Sequence, residues 1–204
     1  MKRYDKSYFD RWYRDPRHAI GTRADLQREV HFALAATEQV LARPLRSALD
    51  VGAGEGRWQP ILHRLRPAAR YAGIDSSEWA ISRWGRRRNL RLGSIESLDT
   101  LGLDGPFDLV VVADVLHYLT APVLRRAAAQ VAPLIGGVAY MPTFTRHDGS
   151  DGDHVGFQRR DAAVYQRVFA AHGIVPIGLH LWTTTALARD LSALERPGTP
   201  RSER

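Results

Sequence analysis

The chain has 204 residues, 44% hydrophobic and 25% charged, the makeup of one globular domain long enough for a full core. It contains no cysteine, which excludes disulfides, thiolate metal sites and thiol nucleophiles. The formal net charge of +7 rests almost wholly on arginine, Lys2 and Lys6 being the only lysines. Nucleic acid would suit that balance, but Arg64, Arg66, Arg70 and Arg86-Arg87-Arg88 fall on or beside predicted helices, where a solvated face accounts for them better. No apolar run reaches membrane-spanning length and the opening residues lack an apolar signal region, so a cytoplasmic protein without a membrane partner is expected.

In chain order, residues 1–44 read as an N-terminal helical cap. Tyr4, Tyr8 and Trp12 recur every fourth residue, with Phe9 and Tyr13 beside them, giving one aromatic stripe on a helix. That stripe reads equally as a face packed on the core and as a lid over a ligand cleft. Asp15-Pro16 breaks the helix. A second helix over 22–43 starts from Thr22 as N-cap, with Leu26, Val30, Leu34 and Leu41 inward. The core, 45–191, then alternates strands near 46–52, 70–75, 90–93, 107–113, 136–141 and 174–181 with helices near 57–66, 78–86, 121–132 and 159–172. Such alternation predicts an α/β fold, a parallel sheet with helices on both faces. Leu181–Ala188 either turns back as a final strand or starts a helix, and the tail over 192–204 reads as disordered.

The first strand carries the strongest signal. In Ala48-Leu49-Asp50-Val51-Gly52-Ala53-Gly54-Glu55-Gly56 an apolar run ends in an acid and breaks into alternating glycines. Glycine takes positive φ and lets backbone approach a ligand closely. The Gly-x-Gly-x-Gly spacing is not the Gly-x-Gly-x-x-Gly of dinucleotide binders. A second strand, Tyr71-Ala72-Gly73-Ile74-Asp75-Ser76-Ser77, ends in an acid about 20 residues later, where a carboxylate suits ribose hydroxyls. A third, Phe107 through Leu119, has the β-branched run of a strand buried on both faces. With these three segments, residues 45 to 145 resemble the class I S-adenosylmethionine (SAM)-dependent methyltransferases.

That resemblance implies a single-domain, Rossmann-like, seven-stranded, mostly parallel sheet whose last strand is antiparallel, with SAM as cofactor and S-adenosylhomocysteine as product. Asp50 would meet the ammonium of the SAM amino-acid tail. Gly52, Ala53 and Gly54 would pass under the tail and ribose, and Glu55 and Gly56 would open the next helix toward the tail carboxylate. Asp75 would take the ribose hydroxyls, with a strand-end helix cap as the plain alternative. Ser76 would line the adenine. Ser94 stands where the family usually has an acid for the adenine amino group, and Ile95 would flank the ring. The Ala113 carbonyl would meet the tail ammonium, and Asp114 would face the methyl group or the acceptor.

Methyl transfer needs in-line alignment and exclusion of water, and a base only where the acceptor is protonated. His117, Asp153 and His154 are the catalytic candidates, with His147 and Asp148 nearby. His147, Asp151, Asp153 and His154 are hard ligands, but their spacing matches no known metal loop and no metal is expected. A polar turn cluster is the plain alternative for the 146–157 stretch. Absence of cysteine excludes pyrimidine C5-methylation and disfavours arsenic methylation. Asp114-Val115-Leu116-His117 lacks the Asn/Asp-Pro-Pro-Tyr/Phe run of DNA amino-methylation, and Met141-Pro142-Thr143-Phe144 follows the wrong strand. The leading expectation is O- or N-methylation of a small-molecule acceptor. An RNA methyltransferase using the arginine surface and a non-catalytic SAM-binding protein are the alternatives; the oligomeric state is not legible.

Overall fold

The computed structural model describes residues 4–149 and 153–191. Two helices lead, α1 (Lys6–Tyr13) and α2 (Arg23–Leu41). They are followed by β1 (Ser47–Val51), α3 (Gln59–Leu65), β2 (Arg70–Asp75), α4 (Glu78–Arg88), β3 (Leu90–Leu92) and β4 (Phe107–Val111). The chain continues through α5 (Ala121–Val131), β5 (Ile135–Tyr140), α6 (Ala162–Ala170), β6 (Ile174–Gly178), β7 (Leu181–Thr184) and α7 (Thr185–Ala188). The tail expected beyond residue 191, and Ser150 to Gly152 with the candidate ligand Asp151, lie outside the described residues.

The seven strands form one sheet in the order β3-β2-β1-β4-β5-β7-β6. β1 pairs in parallel with β2 on one side and β4 on the other, so the order reverses at β1. In open α/β sheets ligands bind at the carboxyl ends of the strands beside that reversal. Every residue of β1 and of β4 is buried, as a strand covered by helices on both faces requires. Leu49, Val51 and Val110 pack on one face with Leu124, Ala128 and Phe169 of α5 and α6. Ala48, Leu109 and Val138 pack on the other with Val30, Ala33 and Leu34 of α2 and Ile61 and Leu62 of α3. α2 starts where expected, Thr22 and Asp25 forming a capping box. Of its expected inward residues, Val30 and Leu34 are buried and Leu26 and Leu41 half-buried.

β7 inserts antiparallel between β5 and β6. One expectation is corrected here: the sixth strand does not run to residue 181 but stops at Gly178. Leu179 and His180 turn the chain with φ of 49° and 63°, and Leu181 already belongs to β7. A two-residue turn of that kind favours Asn-Gly, so Leu-His conceals it. Both readings of 181–188 hold in part, since β7 is followed at once by α7.

An isolated eight-residue helix is not stable in water, so α1 is held by tertiary contacts. Phe9 is 2% exposed, and its ring stacks on Trp79 of α4 at 5.1 Å. Burying such a ring contributes roughly 2 kcal/mol. The Tyr4 carbonyl accepts from Ser77 Oγ, which also caps α4. The aromatic stripe thus docks α1 over the carboxyl edge of the sheet.

Candidate active site

Gly52 leaves β1 with φ of 78°, and its N–H and that of Ala53 donate to the Ile74 carbonyl at 2.8 and 3.0 Å. A Cβ on Gly52 would lie 2.3 Å from Val115, so only glycine fits. Gly54 has φ of 55°, and a Cβ there would approach the Tyr13 hydroxyl of α1 to 3.0 Å. The Gly54 N–H donates to Asp75 Oδ2 at 2.6 Å, and the Ser77 N–H to Asp75 Oδ1 at 2.7 Å. Asp75 thus braces the loop and the start of α4. Burial raises its pKa, and the two N–H donors oppose that.

Asp50 lies beneath the loop, 3% exposed, and accepts from the Tyr71 hydroxyl at 2.7 Å. Burial pushes its carboxyl up to about 7 despite that bond. Gly56 is buried beside Leu90 and Arg88. Ser76 is exposed at the end of β2, and Ser94 is half-buried with Ser97 Oγ 3.2 Å away. Ile95 is a core residue at 6% exposure. Ala113 is half-buried beyond β4. Asp114 follows with φ of 56°, its N–H held by the Pro142 carbonyl at 3.1 Å. Its side chain opens to water, yet the surrounding protein pushes the carboxyl up to about 6.

The structure adds residues that no motif marked. Arg14, at the C-terminal end of α1, pairs with Glu55 of the glycine loop, whose carbonyl also accepts from Arg88 Nη1. The Arg57 guanidinium lies 5.2 Å from the Tyr13 ring centre. Asp114 is within electrostatic reach of Tyr13 on α1, Glu29 on α2, Tyr118 and Tyr140. Asp153 acts likewise on Tyr4, Tyr8 and Tyr118, and its carbonyl accepts from the Tyr118 hydroxyl at 2.6 Å. These contacts join distant segments, so no local pattern announces them.

Two of the three catalytic candidates, His117 and His154, lie beside Phe157. His117 is 2% exposed and stacks on Phe157 at 4.9 Å, with Phe144 at 5.4 Å. Its carbonyl accepts from Gln158 N at 2.7 Å, tying the loop after β5 to the segment after β4. His154 is exposed, 6.1 Å from Phe157. Asp153 Oδ1 accepts from Val155 N at 2.9 Å. His147 turns away toward Asp161, 3.2 Å distant, and Asp148 caps the Thr145 N–H at 2.7 Å. Among the described residues no three His, Asp or Glu side chains are placed to hold a metal, and no helix is long and apolar enough to cross a membrane.

Residues 48–135 match the family model of a methyltransferase domain. Among solved structures the chain is similar to an O-methyltransferase family protein from Burkholderia thailandensis, with 16% identity and a TM-score of 0.55 over 77% of this chain and 55% of that one. It is similar to the sugar N-methyltransferase KedS8 from a Streptoalloteichus species, with 18% identity and a TM-score of 0.63 over 78% of this chain and 87% of that one. A third is the 1,6-didemethyltoxoflavin-N1-methyltransferase of B. thailandensis, with bound 1,6-didemethyltoxoflavin and S-adenosylhomocysteine. It shares 23% identity at a TM-score of 0.50 over 74% of this chain and 70% of that one. The chain spans about half the length of the first of these. No curated protein matches it.

Proposed function

We propose that this chain, whose residues 48–135 match a methyltransferase domain, is a class I SAM-dependent methyltransferase with SAM as its methyl donor, and that its acceptor is a small molecule methylated on oxygen or nitrogen. The observation that supports this is the aromatic cover at the carboxyl edge of the sheet, where Phe9 and Tyr13 of α1 lie over Gly54. Asp153 is within electrostatic reach of Tyr4, just before α1, and of Tyr8 on α1, and its carbonyl accepts from the Tyr118 hydroxyl at 2.6 Å, so the N-terminal segment and the loop after β5 come close together. A carboxyl edge overhung by the chain's own aromatic residues suits a small acceptor rather than a folded polymer.

The residues present fit SAM. The chemistry of the donor set carries this: the Asp75 carboxylate at the end of β2 is a hydrogen-bond acceptor for a ribose, beside Gly54, over which Tyr13 and Phe9 of α1 lie. Asp75 holds the ribose hydroxyls, and Ser76, Ser94 and Ile95 line the adenine. Asp50 and the Ala113 carbonyl face the tail ammonium; Arg57, just past Gly56, supplies the charge for the tail carboxylate. When bound, SAM supplies a methyl group already activated by its sulfonium. The protein therefore has to align the acceptor and exclude water, which Phe9, Tyr13 and Tyr8 do from above. Asp114 faces the acceptor. His117, packed among aromatic rings, positions Tyr118 and the loop, while Asp153 and His154 border the acceptor from that loop.

The reading is tested by S-adenosylhomocysteine release from SAM across a panel of small phenols, alcohols and amines. Release stimulated by one acceptor class supports it; SAM binding with no stimulated release favours a non-catalytic SAM-binding protein. One feature favours RNA instead: Arg83, Arg87 and Arg88 crowd Trp84 on α4, Arg88 at 3.8 Å. Steeply salt-dependent RNA binding, with RNA-dependent release, would favour that reading.

A further inference from the structure

Lys6 and Asp10 on α1 and Arg14 at its C-terminal end recur every fourth residue and so share one face; Trp79 and Arg83 do the same on α4, with Trp84 beside them. Where the two faces meet, these six residues line a groove of about 370 Å³. That is the size of a small-ligand site. The groove is separate from the glycine loop: Trp79 lines it, Phe9 stacks on Trp79 at 5.1 Å, and Phe9 in turn lies over Gly54. Its charge is unbalanced. Lys6 and Arg14 share the Asp10 carboxylate, Arg14 at 3.1 Å, and Arg14 also reaches Glu55. Arg83 is exposed and pairs with no carboxylate among the described residues. It surrounds the Trp84 ring together with Arg87 and Arg88, at 5.9, 5.9 and 3.8 Å from the ring centre. Arg87 and Arg88 lie in the last turn of α4, where cations suit the helix dipole; Arg83 lies a turn earlier and gains little from it. The Trp84 Nε1–H is buried and meets no acceptor among the described residues. The groove therefore combines two indole rings with a guanidinium that the protein leaves uncommitted.

We propose that this groove between α1 and α4 is a second ligand site that binds a nucleoside phosphate, its base against Trp79 and Trp84 and its phosphate on Arg83 and Lys6. Every base has a face that stacks on an aromatic side chain, so the indoles recognise the ring without demanding one sequence. A guanidinium binds phosphate through charge-assisted hydrogen bonds, about twice as strong as neutral ones. A neutral nucleoside gains only the ring contact and a bare phosphate only the charge; a nucleoside phosphate uses both. The site abuts the cofactor loop, because Arg14 lines the groove and also holds Glu55. It does not depend on which acceptor is methylated. A free mononucleotide and one residue of an RNA strand present this same chemistry.

The test uses the full-length, isotope-labelled protein with S-adenosylhomocysteine in excess, which keeps the cofactor loop occupied. Uridine monophosphate, uridine and inorganic phosphate are titrated in turn, with affinities from calorimetry and the indole N–H signals of the 5 tryptophans followed by NMR. Uridine monophosphate is expected to shift the signals of Trp79 and Trp84 and to bind about tenfold more tightly than uridine or phosphate. Arg83→Gln should weaken it about fivefold or more while leaving the melting temperature and the S-adenosylhomocysteine affinity unchanged, because Arg83 is exposed and braces nothing in the fold. A uridine octamer separates the two sources. Affinity equal to that of the monophosphate supports a free nucleotide; affinity about tenfold higher that falls steeply with salt supports an RNA strand. Uridine or phosphate binding as tightly as the monophosphate, shifts confined to the other three tryptophans, an undiminished affinity in Arg83→Gln, or binding of neither monophosphate nor octamer would overturn the inference.

Discussion

The Gly54 N–H lies 2.6 Å from Asp75 Oδ2, so the acid that ends β2 holds the glycine loop that ends β1. One carboxylate thereby links two strand ends at the point where the sheet order reverses. Asp75→Ala would strip acceptors from two buried N–H groups, at about 1–3 kcal/mol each. It should lower the melting temperature as well as SAM affinity. Asp75→Asn retains one acceptor oxygen and separates the effects, with a melting temperature closer to wild type and SAM affinity at least tenfold weaker by calorimetry. Unchanged affinity in Asp75→Asn would remove Asp75 from the cofactor site.

The Arg14–Glu55 pair fastens α1 to the same loop. The arginine side chain is 43% exposed, so the pair stabilises the fold by no more than about 1 kcal/mol. Its effect should be kinetic. Arg14→Ala is predicted to speed SAM dissociation several-fold and to raise hydrogen exchange over residues 6–13, with a melting temperature within about 2 °C of wild type. An unaltered dissociation rate would mean that α1 is a fixed wall and not a lid.

Asp50 predicts a pH dependence of stability. Its carboxyl is raised from 3.8 to about 7, so its favourable contribution is complete below the unfolded value and is lost as pH rises through about 7. The stability of the protein without SAM should therefore decline between pH 5 and 8 by an amount that Asp50→Asn removes, on the order of 3 kcal/mol. Denaturant titration at the two pH values checks the sign. A wild-type protein that gains stability over this window relative to Asp50→Asn would contradict it.

His117 and His154 should separate cleanly. His117→Ala removes a buried ring from the contacts with Phe157, Tyr118 and Phe144, and should cost about 2–4 kcal/mol of stability. His154 is exposed, and its replacement by alanine should leave stability within about 0.5 kcal/mol while lowering turnover more than SAM affinity. Turnover unaffected by His154→Ala would take the loop's histidine out of the acceptor site.

Strong local signals explain why so much of the fold was legible. β1 to β5 lie within about two residues of their sequence-based positions because buried parallel strands read as unbroken apolar runs. The glycine spacing and the acids at positions 50, 75 and 114 marked the ends of three of them. The final antiparallel strand was one of the two readings of 181–188, but the end of β6 was placed at 181 because Leu179-His180 lacks turn chemistry. The Arg14–Glu55 pair joins segments 41 residues apart, beyond any periodicity. The stripe of Tyr4, Tyr8 and Trp12, with Phe9 and Tyr13 beside it, read equally as a packed face and a lid; that Phe9 is the buried ring, and that it and Tyr13 meet Trp79 and the Gly54 turn, depends on tertiary structure.

Thermal unfolding with SAM, S-adenosylhomocysteine and NAD in parallel is the most direct test of the account. At a hundredfold excess over Kd a specific ligand adds about 2.7 kcal/mol, a shift of several degrees. The account predicts that shift with the two adenosyl-sulfur ligands and none with NAD. No shift with either of them, or an equal one with NAD, would contradict it.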